Sequence, residues 1–325
     1  MNKKYIENFS KDTEIAEVLM VKEIDVKLAR NNKPYLHIIL GDKTGEIVGR
    51  KWDMSETEIN AAKNCESGKL LWISGSIKDW NGGVQLNITA IKALPDNFDI
   101  DINEFVKAAP EKPEEMYQYV MGRIEAFEDE DLKALCKKVW TDRKKELLYY
   151  PAASKNHHAV MGGLLYHMKT MGMTGEKICE VYKGLNKDLL LTGVFLHDIE
   201  KITEIDSNQY GIAEKYSFEG QMLGHIIQGI MFLEKEMEVL GFSKEKKVMI
   251  EHMILSHHYE PEYGSPKKPL FPEAEILHYL DMIDARMYDM FNVLKETEEG
   301  EFSTGVRTLE NRRLYNRSKG ANMLV

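Results

Sequence analysis

Histidine and aspartate residues that could bind metal ions are concentrated in the second half of the chain. Nine of the ten histidines lie after residue 150, and one of them forms the pair His197-Asp198 at the end of the apolar segment DLLLTGVFL. An unpaired imidazole and carboxylate at the end of a buried helix would cost several kcal/mol. A bound metal ion removes that cost, so the sequence favours a metal site at these two residues.

Further candidate ligands lie on, or at the end of, four other predicted helices. These candidates are His167, His225, His257, His258 and Asp281. For any one of them alone, an ordinary core or surface residue is the simpler interpretation, but together they converge if the helices form a bundle. Imidazole nitrogens and carboxylate oxygens suit Mn, Fe, Mg, Co or Zn, and their types do not choose among these metals. A carboxylate beside a histidine can bridge two ions, as two-metal phosphoester hydrolysis requires.

The composition argues against several other classes of protein. The net charge of −10 argues against non-specific binding to nucleic acid, although basic and acidic residues nearly balance in the first 100 positions. The three cysteines, Cys65, Cys136 and Cys179, lack C-x-x-C spacing, which argues against disulfides and thiolate zinc sites. Without a secretion signal or a run of about 18 apolar residues, the chain is predicted to be soluble and cytoplasmic, with no membrane partner.

The first 95 residues have the pattern of a small β-barrel. Short β-compatible segments are separated by turn sequences such as NNKP, GDKTG and NGG, and a polar helix is predicted at 55–65. The predicted strands are 15–26, 35–40, 46–52, 70–78 and 84–92. Five strands with one helix after the third is the order of an OB-fold, a barrel that commonly binds oligonucleotides.

The remainder of the chain predicts an all-α bundle, so the fold class is multidomain. An acidic linker is predicted at 96–115, and a helical domain at 116–300 follows the OB-fold barrel at 1–95. The predicted helices are 116–127, 131–139, 159–171, 174–183, 187–201, 218–240, 244–256 and 273–295. The arginine-rich stretch 301–325 is predicted to be a basic, solvated tail.

The predicted barrel offers a candidate surface for nucleic acid. In an OB-fold, strands 2 and 3 and the loops between strands 1 and 2 and strands 4 and 5 form the usual oligonucleotide surface. In this chain those positions carry Tyr35, His37, Arg50, Lys51, Trp52 and Trp80. Alternation along strand 2 assigns Leu36, Ile38 and Leu40 to the core. Trp80, beside a turn, is the preferred exposed stacking residue, whereas Trp52 could instead pack in the core.

The order of the candidate ligands resembles a known family. His167, His197-Asp198 and Asp281 are similar to the H…HD…D signature of the HD-domain metal phosphohydrolases, and the additional histidines are similar to those of its two-metal members. Five motifs, in order, resemble the YhaM family of 3′-to-5′ exoribonucleases: PAASKNHHAVMGGLLYHMKTM, NKDLLLTGVFLHDIEKITEI, KYSFEGQMLGHI, LSHHYEPEYGSP and EILHYLDMIDA. The OB-like segment RNNKPYLHIILGDKTGEIVGRKWD precedes them in the family's domain order.

The resemblance implies a role for each candidate residue. The first metal ion would be held by His167, His197, Asp198 and Asp281. The second would share Asp198 and would be held by His225, His257 and His258. Lys201 would lie near the scissile phosphate and stabilise developing charge, so the expected catalytic residues are Asp198 and Lys201. The family favours Mn for both ions, with Fe, Co, Mg or Zn left open.

Four positions near these ligands stay open. The family usually has glycine where this chain has Glu200, a carboxylate that could pair with Lys201 or crowd the substrate. His157 and His158 match paired histidines of the family, and contact with phosphate and helix capping are equal alternatives for them. Asp284 could support a ligand from behind or lie at the surface.

These observations predict a divalent-metal-dependent 3′-to-5′ exoribonuclease that degrades single-stranded RNA, with action on DNA and oligomerisation left open. A first alternative is an HD-domain phosphohydrolase of nucleotides or cyclic dinucleotides, which would have no need of the barrel surface. A second alternative is a non-catalytic RNA-binding protein, which the full set of ligand positions argues against.

Overall fold

A computed structural model describes residues 4–80, 83–95, 101–153, 158–208 and 210–317. Contacts within the chain divide it into two units, Met1–Lys107 and Ala108–Val325. Each unit has its own hydrophobic core. The first unit is therefore built from the predicted strands, and the second contains every candidate metal ligand.

The first unit is a closed barrel. Its strands are β1 (Glu14–Leu28), β2 (Pro34–Asp42), β3 (Gly45–Lys51), β4 (Leu70–Trp80) and β5 (Gly83–Ala93), and its helix is α1 (Glu56–Lys63). The strands follow the order β1-β2-β3-β5-β4, and β4 closes the barrel against β1. Neighbouring strands are antiparallel except for β3 and β5. The OB-fold predicted from the sequence is confirmed.

Alternation along β2 separates the barrel core from its outer face. Leu36, Ile38 and Leu40 are fully or almost fully buried, as predicted.

Helix α1 begins with a capping box, in which the Ser55 side chain accepts the Glu58 N–H and the Glu58 side chain accepts the Ser55 N–H. The helix predicted at 55–65 is therefore present in a slightly shorter form.

The second unit is built mainly from helices. They are α2 (Pro113–Glu125), α3 (Glu130–Asp142), α4 (Lys144–Leu147), α5 (Gly163–Val181), α6 (Lys187–Leu196), α7 (Lys201–Glu204), α8 (Phe218–Val239), α9 (Lys244–Ser256) and α10 (Pro272–Lys295). The predicted helical domain is confirmed, with one addition. An antiparallel pair of short strands, β6 (Ile205–Ser207) and β7 (Ala213–Tyr216), lies between α7 and α8. Among the described residues, no helix combines the length and apolar character that a membrane span requires.

The predicted break between two of these helices is wrong. The sequence predicts separate helices at 159–171 and 174–183, whereas α5 runs through both segments. Gly172 lies within α5, where an added Cβ would meet the Phe195 ring at 2.9 Å. The glycine therefore allows close packing between two helices and does not end the helix.

Helix α6 lies in the core of the second unit and leads directly to the His-Asp pair. Every residue at 189–196 is buried, and Trp140 of α3 donates its indole N–H to the Phe195 carbonyl at 2.9 Å. The sequence predicts helix as far as residue 201, but α6 ends before His197, which begins a turn. The apolar character of α6 is thus the reason that His197 and Asp198 lie inside the protein.

The predicted linker and tail both include packed residues. Glu111 pairs with the buried Lys169 of α5. Near the C-terminus, Leu309 and Leu314 are buried, so the described part of the predicted tail is not solvated along its whole length. The limits that the sequence suggests for the domains, linker and tail stay predictions.

Candidate metal centre and nucleic-acid face

Asp198 lies at the centre of a buried group of imidazoles. Its side chain is 2 % exposed, and its Oδ2 lies 3.3 Å from His197 Nε2. Its Oδ1 lies 3.2 Å from His225 Nε2 and 3.8 Å from His257 Nε2. Lys201, one turn later in the chain, places Nζ 2.7 Å from Oδ2. The two carboxylate oxygens therefore face different sets of neighbours.

The other candidate ligands come from α5, from the residues after α9 and from α10. His167 Nε2 lies 3.5 Å from Asp281 Oδ1 and 3.7 Å from Asp198 Oδ2. One set of ligand atoms, all within 4.8 Å of one another, belongs to Asp198, His225, His257 and His258. Three further sets have this spacing: His167, His197 and Asp198; His197, His257 and Asp281; and His158, His167 and Asp284. The structure thus brings together the seven residues that the sequence predicts as ligands.

Hydrogen bonds at Nδ1 orient the histidine rings. The acceptors are the carbonyl oxygens of Val194 for His197, Ile254 for His257 and Tyr263 for His258, at 3.0, 2.7 and 2.7 Å. A carbonyl oxygen only accepts, so Nδ1 carries the hydrogen in these rings. The Nε2 atom then keeps its lone pair, which is the form in which a neutral imidazole binds a metal.

Two of these contacts follow from the position of the histidines at helix ends. His197 directly follows α6 and His257 directly follows α9, and each bonds to the carbonyl three residues earlier. The last carbonyls of a helix have no partner within it. Each ring therefore satisfies a carbonyl of its own helix and directs Nε2 beyond the helix end.

Carboxylates orient the remaining two rings. His167 Nδ1 lies 2.7 Å from Asp284 Oδ2. His225 Nδ1 lies 3.1 Å from both carboxylate oxygens of Glu204. Of the two roles considered for Asp284, this contact favours the support of a ligand. Glu204 was not among the residues that the sequence pointed to.

The inner face of the cluster fits divalent cations. In the part of the chain that the structure describes, the buried Nε2 atoms of His197, His225 and His257 and the Oδ1 atom of Asp198 have no hydrogen bond of acceptable geometry. Buried polar atoms without such bonds are uncommon in folded proteins. Unprotonated imidazole Nε2 atoms and carboxylate oxygens are acceptors, and a divalent ion is the partner that converging acceptors can share.

The electrostatics of the cluster favour an ion pair beside a neutral ring. Burial raises the pKa of Asp198, but the Lys201 ammonium group and the neighbouring His197 imidazole outweigh it and leave this pKa well below the usual range. Burial lowers the pKa of Lys201, but the Asp198 carboxylate outweighs burial and raises it. Burial also holds the pKa of His257 well below its usual value, with help from the neighbouring His258. His257 is therefore neutral at pH 7, and its Nε2 lone pair is available to a metal ion.

His225 differs from His257 in its charge. Burial lowers its pKa, but the adjacent carboxylates of Asp198 and Glu204 outweigh burial and raise the pKa to about 9. A metal ion that binds this ring must therefore displace a proton.

Glu200 is turned away from Lys201. Its Oε1 accepts a hydrogen bond from Arg143 Nη2 at 2.8 Å, and its Oε2 accepts one from the Thr203 hydroxyl at 2.6 Å. The suggestion that Glu200 pairs with Lys201 is wrong, because Asp198 holds that ammonium group and Arg143 holds the Glu200 carboxylate.

His158 is buried beside the same carboxylate that supports His167. Its Nε2 lies 2.7 Å from Asp284 Oδ2, and its ring centroid lies 4.0 Å from that of Tyr288. Its φ of 55° is uncommon for a residue with a side chain. His157 lies outside the described residues.

Helix α8 is interrupted directly before His225. Gly224 has φ 70° and ψ 162°, a combination that is essentially restricted to glycine. The main-chain N–H of His225 donates to Glu204 Oε1 at 3.0 Å. A glycine inside an otherwise helical pattern was the one signal in the sequence that could have indicated this arrangement.

The outer face of the barrel carries stacked rings and a cation. Tyr35 and Trp52 stack with ring centroids 4.7 Å apart. The Arg50 guanidinium lies 4.9 Å from the Trp80 ring and 5.9 Å from the Tyr35 ring, and Arg50 pairs with His37 across β2 and β3. Trp52 is 45 % exposed and Trp80 is 54 % exposed, so neither packs in the core. These five residues are called the aromatic face below.

Lys51 does not share the aromatic face, contrary to the prediction. It lies opposite Leu36 in register, its Nζ pairs with Glu58 Oε1 at 2.9 Å, and its side chain is 12 % exposed. Successive side chains of a strand point to opposite sides, so Arg50 and Lys51 cannot point the same way.

Comparisons with known proteins match both units. Residues 16–94 match the model of an OB-fold nucleic acid binding domain, and residues 164–286 match that of the HD domain. The 3′-5′ exoribonuclease YhaM of Geobacillus sp. (strain WCH70) is 36 % identical over 297 residues, which cover 91 % of this chain and 90 % of that protein.

Solved OB-fold domains resemble parts of the chain more distantly. The second OB-fold domain of replication protein A from Methanococcus maripaludis is 16 % identical, covers 30 % of this chain and 99 % of its own, and gives a TM-score of 0.24. The SSB domain of a Synechococcus sp. protein is 12 % identical, covers 26 % of this chain and 97 % of its own, and gives a TM-score of 0.22.

The fold and the cluster together define a protein of the HD-domain class that also carries an OB-fold nucleic acid binding domain. An HD domain with such a set of histidines and aspartates implies dependence on divalent metal. The chain belongs to the YhaM family, because the identity to its relative extends over 91 % of its length. The family predicted from the motifs is confirmed.

Replacement of Gly224 by alanine should lower the free energy of unfolding by about 1–3 kcal/mol, because φ 70° with ψ 162° is strained for any residue with a Cβ. Chemical denaturation followed by circular dichroism measures this change. Gly122→Ala is the matched control: Gly122 lies in α2 with open space around it, so alanine there should be neutral or stabilising. Equal effects of both substitutions would contradict the interruption of α8.

Proposed function

We propose that this protein is a cytoplasmic, divalent-metal-dependent 3′-to-5′ exoribonuclease that hydrolyses the phosphodiester bonds of single-stranded RNA. The observation that carries the proposal is the buried cluster of converging acceptors around Asp198. Membership in the YhaM family supports it, since the Geobacillus relative is a 3′-5′ exoribonuclease. A metal cluster for phosphoester hydrolysis and a surface for nucleic acid are the two parts that such an enzyme needs.

In the proposed site, Asp198 would help to hold both ions. Its Oδ2 faces His197 and His167, and its Oδ1 faces His225 and His257, so the carboxylate can contribute one oxygen to each side. Bound ions, for which the family resemblance favours Mn, would supply Lewis-acid polarisation of the scissile phosphate and activation of a water molecule. The oriented imidazoles provide the remaining nitrogen ligands.

Lys201 is the proposed second catalytic residue. Its ammonium group is held 2.7 Å from Asp198 Oδ2, and its side chain is 12 % exposed. A fixed cation at this position would stabilise the negative charge that develops on the phosphate and on the leaving 3′-oxygen. Because Arg143 holds Glu200, that carboxylate does not compete for the ammonium group.

The aromatic face is proposed to bind single strands. Stacking on an aromatic ring is worth about 1–3 kcal/mol per base and tolerates any base, which suits an enzyme that removes nucleotides one after another. Arg50 adds a cation beside the rings. Stacking does not distinguish RNA from DNA, so the proposed preference for RNA rests on family membership.

One experiment separates this proposal from its alternatives. The purified protein is incubated with end-labelled RNA, end-labelled DNA and mononucleotides in the presence of Mn, Mg, Co or Zn. Stepwise shortening of RNA from its 3′ end supports the proposal. Hydrolysis of mononucleotides alone indicates a nucleotide phosphohydrolase, and RNA binding without turnover under any metal indicates a non-catalytic protein.

Replacement of Asp198 should abolish hydrolysis and spare RNA binding. Asp198→Asn and Asp198→Ala remove the charge shared by both ions, and we expect a loss in rate on the order of 10²-fold or more. Initial rates on end-labelled RNA and RNA binding by fluorescence anisotropy measure the two effects. Asp206→Asn, at a half-exposed carboxylate nearby in the chain, is the control. A near-normal rate for the Asp198 variants would show that the site is misassigned.

Trp80→Ala should weaken binding to single-stranded RNA by about 1–3 kcal/mol, because it removes one stacking ring. Its initial rate should fall on long RNA and stay close to wild type on the shortest substrates. Trp72→Ala, eight residues earlier on β4 and paired with Val18 and Lys92, is the matched control. Equal losses at every RNA length would argue that the barrel affects the active site itself.

A further inference from the structure

One carboxylate, that of Glu204, contacts both the main chain and the ring of His225. Glu204 Oε1 accepts the main-chain N–H of His225 at 3.0 Å, and both carboxylate oxygens lie 3.1 Å from Nδ1 of the same residue. Helix α8 is interrupted at Gly224, directly before His225. The main-chain N–H of His225 therefore bonds to the Glu204 side chain. A side chain that contacts both the main chain and the ring of a candidate ligand fixes the position and the orientation of that ligand.

The position of Glu204 is fixed by its own main chain. Glu204 ends α7, and its carbonyl oxygen accepts the Ser217 N–H at 2.9 Å. The first turn of α8 packs against the same peptide, where a Cβ at Gly220 would clash with the Glu204 carbonyl group. The side chain is 13 % exposed. The Glu204 carboxylate therefore has a fixed, largely buried position beside His225.

The acceptor at His225 differs in kind from those at three other rings. His197, His257 and His258 bond to neutral carbonyl oxygens, whereas His225 bonds to a negative charge. A charged acceptor makes a stronger hydrogen bond than a neutral one. Carboxylates behind metal-binding histidines fix the ring orientation and make the ligand nitrogen more basic.

We propose that Glu204 is a positioning residue that directs His225 Nε2 toward Asp198 and sets the affinity of the ion on that side of the cluster, without contacting the ion. This inference rests on the proposed function, since it requires that the cluster hold metal ions. On the other side of the cluster, Asp284 lies behind His167 at 2.7 Å. Each of the two ions would then have one ligand oriented by a carboxylate.

A purely structural role for Glu204 leads to a different result. As a cap for the interrupted helix, Glu204 would need only to accept the His225 N–H, and the amide oxygen of glutamine can do the same. Glu204→Gln would then bind metal as the wild type does. If Glu204 positions the ring through its charge, Glu204→Gln weakens metal binding although the helix cap is kept.

The test is a calorimetric titration of Mn²⁺ into the full-length, metal-free protein, in which the affinity of each ion is measured. Glu204→Ala should weaken one ion by about 10–100-fold, and Glu204→Gln should weaken the same ion by a smaller factor. His225→Ala identifies which ion is affected. The double variant His225→Ala/Glu204→Ala should bind no more weakly than His225→Ala alone, because Glu204 acts through that ring.

Two further variants serve as controls. Glu219→Gln makes the same change of charge on the exposed first turn of α8 and should leave both affinities unchanged. Asp284→Asn should weaken the other ion, the one that His167→Ala weakens. Circular dichroism of every variant confirms that the helices are intact.

Three results would overturn the inference. The first is wild-type affinity for both ions in Glu204→Ala, and the second is wild-type affinity in Glu204→Gln alone, which would leave only the capping role. The third is a double variant whose loss is the sum of the two single losses. If the wild type itself binds no Mn²⁺, the proposed function fails, and this inference fails with it.

Discussion

The burial of the Asp198 carboxylate at the end of an apolar helix is the constraint on which the helical unit depends. An ionised carboxylate inside a protein is costly unless positive charge and hydrogen-bond donors surround it. Lys201 supplies one charge at 2.7 Å. The imidazoles of His197, His225 and His257 surround the remaining space. The helices of this unit must therefore be placed so that their ends and inner faces meet at one carboxylate, which α6 carries into the core.

The orientation of the rings is constrained as tightly as their position. Two histidines at helix ends satisfy carbonyls that their own helices leave unpaired, and this local bond fixes the tautomer. Two others depend on carboxylates from distant parts of the chain, Glu204 for His225 and Asp284 for His167. The cluster thus combines a local device, which any histidine after a helix can use, with contacts that exist only in the folded protein.

The barrel obeys a simpler rule. Alternation along β2 and β3 places apolar side chains inside and Tyr35, His37 and Arg50 outside. The same alternation explains why Lys51 lies on the opposite side from Arg50, although the two residues are adjacent. Trp52 lies just beyond β3 and stacks on Tyr35. This contact orients the Trp52 ring while much of it stays exposed. The face therefore consists of rings and one cation, which are the groups that contact single strands in other OB-folds.

The sequence by itself determined the barrel, the helical domain and the seven candidate ligands, because these depend on local periodicity, turn residues and the residue types of recognisable motifs. It failed at α5, where Gly172 packs against Phe195 and does not end a helix, and at Lys51, which lies opposite Leu36 and pairs with Glu58.

Only the tertiary structure decided the partners of the cluster. Glu204 lies 21 residues from His225, Arg143 lies 57 residues from Glu200, and Asp284 lies 117 residues from His167. These contacts are created by the packing of helices and by the break in α8, so they could not be assigned from local periodicity. Residue types therefore fixed what the site could bind, and the fold fixed which side chains hold its ligands in place.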